Sequence, residues 1–253
     1  LSKEDIFAFG ISVAGSVAAL GNVLTGAISG ENAESYQMEA IGMLSYGLLG
    51  LILIKVGRIV HDKLALNQIN KTEQIIARNV TVGLVDAAGA IATAIVIRAV
   101  LLWVHGLDIN TFIAIIAGFI VSQAMLVLVT RIKEKQYARN NQDDCLQEAF
   151  ANGQVALAIR YAGQVISTAL AVTAASYFLT YDAETLWYSI AGWLVFSIIM
   201  TLLVALLTAI AKRLILWGIN LVEEVDQQHN IGVASVEMAI SISIALILTG
   251  LMA

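Results

Sequence analysis

Apolar and polar positions alternate along this chain in long blocks. Apolar runs cover 6–28, 38–60, 80–104, 112–131, 155–178, 186–211 and 231–253. A helix needs about 20 mostly apolar residues to cross the hydrocarbon core of a bilayer, and each run meets that length. The pattern predicts an all-α, polytopic transmembrane helical bundle of seven spans. The connections between runs are of two kinds. Lys55, Arg58, Lys63, Lys71 and Arg78 lie at or near the second; Arg131, Lys133, Lys135 and Arg139 at the fourth; Lys212 and Arg213 at the sixth. The other three are short and hold Glu31, Glu34, Asp108, Asp182 and Glu184, with no Lys or Arg. The positive-inside rule then puts Lys3 and the long basic connections in the cytoplasm, and the acidic turns and the C-terminus outside. The long connections, such as 61–79 and 212–230, read as helical extensions with one apolar side. They can dip into the inner leaflet or pack as a cytoplasmic collar.

Composition agrees with lipid as the solvent. The 253 residues are 59% hydrophobic and only 13% charged, with a mean hydropathy of +0.83. Soluble domains carry about 25% charged residues. Proline is absent, so straight helices are expected, with glycine used for close packing. The single cysteine, Cys145, excludes an internal disulfide framework and a Cys-rich metal site.

The run from Arg78 to Ala99 shows a plan that recurs. Aligned on the small pairs Ala14-Gly15, Ala88-Gly89 and Ala162-Gly163, and on Ala239-Ile240, the chain places Ser12, Asp86, Arg160 and Glu237 at one matching position. The intervals between them are 74, 74 and 77 residues. Asp5, Asn79, Gly153 and Asn230 stand seven residues earlier. The unit is thus a two-helix parallel repeat of about 75 residues: one helix carries the motif and a plainer one returns. Two four-span units are expected, at 1–105 and 106–253, the first with a further helix upstream of Leu1.

The motif residues also resemble a known family. Asn79-Val80-Thr81-Val82-Gly83 and Asn230-Ile231-Gly232-Val233-Ala234, each heading a span rich in small residues, look like the last span of the YjfL-type bacterial inner-membrane proteins. Ala14-Gly15 and Ala162-Gly163 look like that family's second span. The resemblance implies a bacterial inner-membrane location. It also implies company with phage-shock-type membrane-stress proteins and polyamine-related enzymes. It supplies no catalytic residues.

Ionisable residues within spans are costly and face protein or water. Asp86 lies seven residues past Asn79, about 10 Å along a helix. Helical spacing gives four polar columns: Asp5, Ser12 and Ser16; Asn79, Asp86 and Thr93; Arg160, Gln164 and Ser167; Asn230, Glu237 and Ser241. If all four face a common axis, Asp86, Arg160 and Glu237 meet in one layer, completed by Ser12. One reading is a lock on helix register. The other is a proton or cation site with an unpaired acid. Arg98 is expected to snorkel outward. His61, His105 and His229 read as solvated, and Trp103, Trp187, Trp193 and Trp217 as an interfacial belt. Gly83-x-x-x-Ala87 and Gly10-x-x-x-Ala14 read as packing faces within a chain or between protomers of a homo-oligomer. No nucleophile–base set, phosphate loop or metal-binding helix pair is visible, so neither an enzyme nor a cofactor or metal site is expected. Acids interleave the basic residues of the connections, which argues against nucleic acid. The partners expected are the lipid bilayer, a second copy and a cytoplasmic membrane-stress protein.

Overall fold

A computed structural model describes residues 7–29 and 36–253 of the chain. All regular elements among them are helical. The order is α1 (Phe7–Ile28), α2 (Tyr36–Val60), α3 (Lys71–Ile76), α4 (Val80–Trp103), α5 (Ile109–Asn140), α6 (Leu146–Ala151), α7 (Val155–Ser176), α8 (Leu186–Ile215) and α9 (Ile231–Met252). Single π-helical turns, His61–Ala65 and Val222–Gln227, follow α2 and precede α9. Seven helices are long and apolar enough to cross a membrane, in agreement with the seven apolar runs. In hydrocarbon, a helix is the element that satisfies its own backbone. The α5 and α8 helices run several residues past their apolar stretches, because Lys, Arg, Glu and Gln in those extensions are good helix formers. Asp5 lies outside the described residues, as do Lys3, Glu31 and Glu34.

The four motif helices stand in a row, α1 beside α4, α4 beside α7, and α7 beside α9. The return helices α2, α5 and α8 flank that row. The central helices α4 and α7 have 78% and 72% of their apolar windows buried, whereas α8 has 22%. Leucines and isoleucines on α2 and α8, such as Leu44, Leu48, Leu202 and Leu206, point outward, as a lipid-facing surface requires.

Small residues let the row close. The buried face of α1 includes Ala8, Ser12, Gly15, Ala19, Val23 and Gly26. Gly15 sits so tightly against the Ala87 backbone that a methyl group there has no room. Gly83 meets the Ala8 carbonyl in the same way. Gly163 repeats the arrangement against the Met238 backbone, 2.7 Å from where its Cβ would be. The Gly83–Ala87 face is therefore spent inside the chain, between α4 and α1. Ala14, by contrast, is exposed, so the Gly10–Ala14 face is not the α1–α4 contact.

Two expectations about aromatic and histidine residues are corrected. Trp103 and Trp193 belong to the interior and not to the belt. Their rings meet edge to face at 4.8 Å, and the Trp193 indole N–H donates to the Val172 carbonyl. Trp187 and Trp217 are exposed, as a belt requires. His61 is 4% exposed, because the helix of α2 continues through it as a π-turn and carries the ring against Gly89.

Gly15→Ala is expected to destabilise the fold by about 1–3 kcal/mol through overpacking, measured by denaturant unfolding in detergent. Gly21→Ala, which meets nothing within 4 Å, is expected to leave stability unchanged or slightly raised. A second expectation concerns the start of α5. Asp108 caps that helix, accepting from the Thr111 hydroxyl at 2.5 Å and the Thr111 N–H at 2.9 Å. The hydroxyl contact chiefly, with the N–H second, holds the Asp108 carboxyl below the usual Asp range. The cap is thus complete at neutral pH and is lost as pH falls through that depressed value. Amide protection factors at the first turn of α5, taken relative to the intrinsic exchange rate at each pH, should fall in acid and should not change between pH 5 and 7.

Candidate functional site

The motif positions are organised by the pair of helices to which each belongs. On α4, Asp86 is 3% exposed. It receives the Ser12 hydroxyl of α1, the Lys71 Nζ at 2.6 Å and Arg58 Nη2 at 3.1 Å. Lys71 also holds Asp62 at 2.7 Å, and Arg58 Nη1 donates to Ser16 Oγ at 3.0 Å. Two acids and two cations make this cluster neutral. Its second cation, Lys71, comes from the connection between α2 and α4, which folds back onto the span.

On α9, Glu237 is also 3% exposed. It accepts from Arg160 Nε of α7 at 2.6 Å and from Lys212 Nζ of α8 at 3.0 Å. Arg160 pairs in addition with Asp226 and donates to the Leu221 carbonyl at 2.7 Å. Both come from the connection between α8 and α9. Asn141 Nδ2 completes Asp226 at 3.1 Å. This cluster too holds two acids and two cations. A buried charge without a partner is very costly, and four-charge closure meets that constraint twice. Among the described residues, no three His, Cys, Asp or Glu converge as a metal site.

The expectation of one shared layer is therefore corrected. Arg160 and Glu237 do pair, but Asp86 pairs with Ser12, Lys71 and Arg58 instead. The reason is the row: α4 turns the Asp86 face toward α1, and α7 turns the Arg160 face toward α9. The columns are corrected as well. Asn79 and Asn230 cap α4 and α9, accepting from Val82 N–H at 3.2 Å and Val233 N–H at 3.1 Å. Asn79 Nδ2 also ties down the carbonyls of Phe150 and Ala151. The residue before each cap, Arg78 or His229, has positive φ, as does Gly153 before Gln154 of α7. Gly153 thus matches Arg78, and the four motif helices are not fully equivalent. The unit that recurs is the packed pair: Gly15 on Ala87 answers Gly163 on Met238.

Gln164, Ser167 and Ser241 line a cavity of about 860 Å³ among the helices of the second half, together with Arg160 and Glu237. A smaller cavity of about 700 Å³, at the end bearing the acidic turns, includes Arg98, Trp103, Thr173 and Tyr181 in its wall. The two halves are also joined by a buried polar link. His61 Nε2 meets the Tyr161 hydroxyl at 2.8 Å, and that hydroxyl meets Thr130 Oγ1 at 3.3 Å.

A family model, Domain of Unknown Function (DUF350), matches residues 1–101 and again 106–252. The chain belongs to that family. It carries the DUF350 domain twice in tandem, and the break between matches falls at the end of α4. Comparison with curated proteins and with solved structures gave no match.

The partners that sequence reading missed are Arg58, Lys71, Asp62, Lys212 and Asp226. All lie in or beside the basic connections, where charge was read as an orientation signal. A local cue exists: Ile69, Ile75 and Val225 give those connections apolar faces that pack on the core, and such packing carries neighbouring charges inward.

Asp86→Asn is expected to cost about 3–5 kcal/mol, because it leaves Lys71 and Arg58 without a buried counter-charge. Adding Lys71→Gln should recover part of that loss. Unfolding in detergent measures both, and additive losses would contradict the pairing.

Proposed function

We propose that this DUF350 protein is a structural component of a bacterial inner membrane, tied to envelope stress through its basic connections on the cytoplasmic side. One observation carries the reading: each intramembrane acid is held by two cations in a neutral cluster that also clamps a connection to the bundle. Asp86 is bound by Lys71, and Arg160 binds Asp226. Neither acid is left unpaired. The clusters suit a protein whose spans and cytoplasmic connections must move together, with a cytoplasmic stress protein or a second copy of the chain as partner. The YjfL-type resemblance supports the same setting, and the basic connections support an inward orientation with the C-terminus in the periplasm. The reading includes no enzymatic step.

A second reading, an ion or proton channel or a small-solute transporter, is favoured by the half-open cavity of the second DUF350 unit. Its wall contains Gln164, Glu237 and Ser241.

The two readings separate in proteoliposomes. Under the first, proton and potassium flux equals that of protein-free vesicles. Asp86→Asn and Glu237→Gln then raise hydrogen exchange in 61–76 and 222–227 without altering flux. Flux that depends on either acid would replace the first reading with the second.

A further inference from the structure

The cavity of the second unit has an imbalance that the clusters do not. Its wall carries Lys133, Arg160, Lys212 and Arg213 against Asp226 and Glu237. Both acids are already held by Arg160 and Lys212. Lys133 donates to Gln136 of its own helix at 3.1 Å. Among the described residues neither Lys133 nor Arg213 forms an ion pair. Lys133, Arg160 and Lys212 line this one cavity, with Glu237 among them. Two positive charges are surplus in this wall, Lys133 half-buried and Arg213 exposed.

Further along α8, Thr208 and Thr201 line the same cavity, and their hydroxyls are buried with no hydrogen-bond partner. Thr208 is one turn from Lys212, and Thr201 about two turns beyond it. Buried hydroxyls ordinarily find a partner. Two orphaned donors lie in the same wall above these cations, and a χ1 rotation would turn either hydroxyl toward an oxyanion in the cavity. At the mouth stands Trp217, 77% exposed, a residue type that sits at headgroup depth. Basic pockets between spans at that level suit anionic headgroups.

We propose that this cavity binds a phosphate-bearing anion, with Lys133 and Arg213 supplying the charge and Thr208 a hydroxyl donor. The phosphate is that of an anionic phospholipid headgroup or of a free phosphate. This site is independent of the structural role proposed above.

The test uses the purified full chain in detergent. Its melting temperature is measured with added phosphatidylglycerol, with phosphatidylcholine, and with inorganic phosphate. A ligand that binds only the folded state raises the melting temperature. The wild-type chain should be stabilised by phosphatidylglycerol over phosphatidylcholine, or by inorganic phosphate. Response to the lipid alone identifies a headgroup site, and response to inorganic phosphate identifies a free anion. K133Q combined with R213Q breaks no ion pair and should fold. It should weaken binding about tenfold or more. K135Q with R139Q removes the same charge outside the cavity and should respond like the wild type. Thr208→Val, nearly isosteric, gives a second check and should also shrink the shift. The proposal fails if neither probe shifts the wild-type chain, or if K133Q/R213Q responds as fully as the control pair.

Discussion

Charge buried in a membrane bundle must be neutralised on the spot, and in this protein that requirement dictates much of the architecture at one end. Asp86 and Glu237 are each nearly inaccessible. Among the described residues no metal-binding set surrounds them, and protein cations offset their charge. Each is met by a cation from the flanking return helix, Arg58 of α2 or Lys212 of α8. Each cluster then draws on its connection, for Lys71 and Asp62 in the first and for Asp226 in the second. The connections cannot swing free without exposing unpaired charge, so they behave as part of the bundle. A net ion-pair energy need not be large for this to matter. The penalty for opening the cluster is what holds it shut.

The two clusters solve one problem with the second cation in different places. In the first half the α1 position is the neutral Ser12, and the connection brings both a cation, Lys71, and an acid, Asp62. In the second half the corresponding α7 position is Arg160, and the connection brings an acid. Both sums are zero. Duplication of a packed pair, followed by a compensating exchange of charge between span and connection, accounts for the pattern. The two crossings are alike in that Gly15 and Gly163 each leave no space for a side chain, while the charges beside them differ and still balance.

The halves meet through α4 and α7, the most enclosed helices, and through His61, Tyr161 and Thr130. A polar link buried between two apolar surfaces fixes their register, because its members have no water to turn to. The polar cavity lies only within the second half, and Trp193 stands two turns further along α8 from Thr201. The bundle thus holds a cavity toward each end, the larger at the basic end.

Composition and apolar run lengths determined the helical class, the seven spans and the charge asymmetry of the connections, because each follows from the local cost of putting residues in lipid. The recurring position of Ser12, Asp86, Arg160 and Glu237 was legible for the same reason: charge inside a span is rare and stands out. Their partners were not. Arg58, Lys71, Lys212 and Asp226 look like ordinary solvated residues of basic connections, and His61 like another. Only the tertiary structure decided that the motif helices form a row and not a ring, that Asn79 and Asn230 are caps, and that the connections fold inward. Those outcomes depend on which helices are neighbours and on which faces their small residues allow to touch, and helical periodicity within one span carries no information about either.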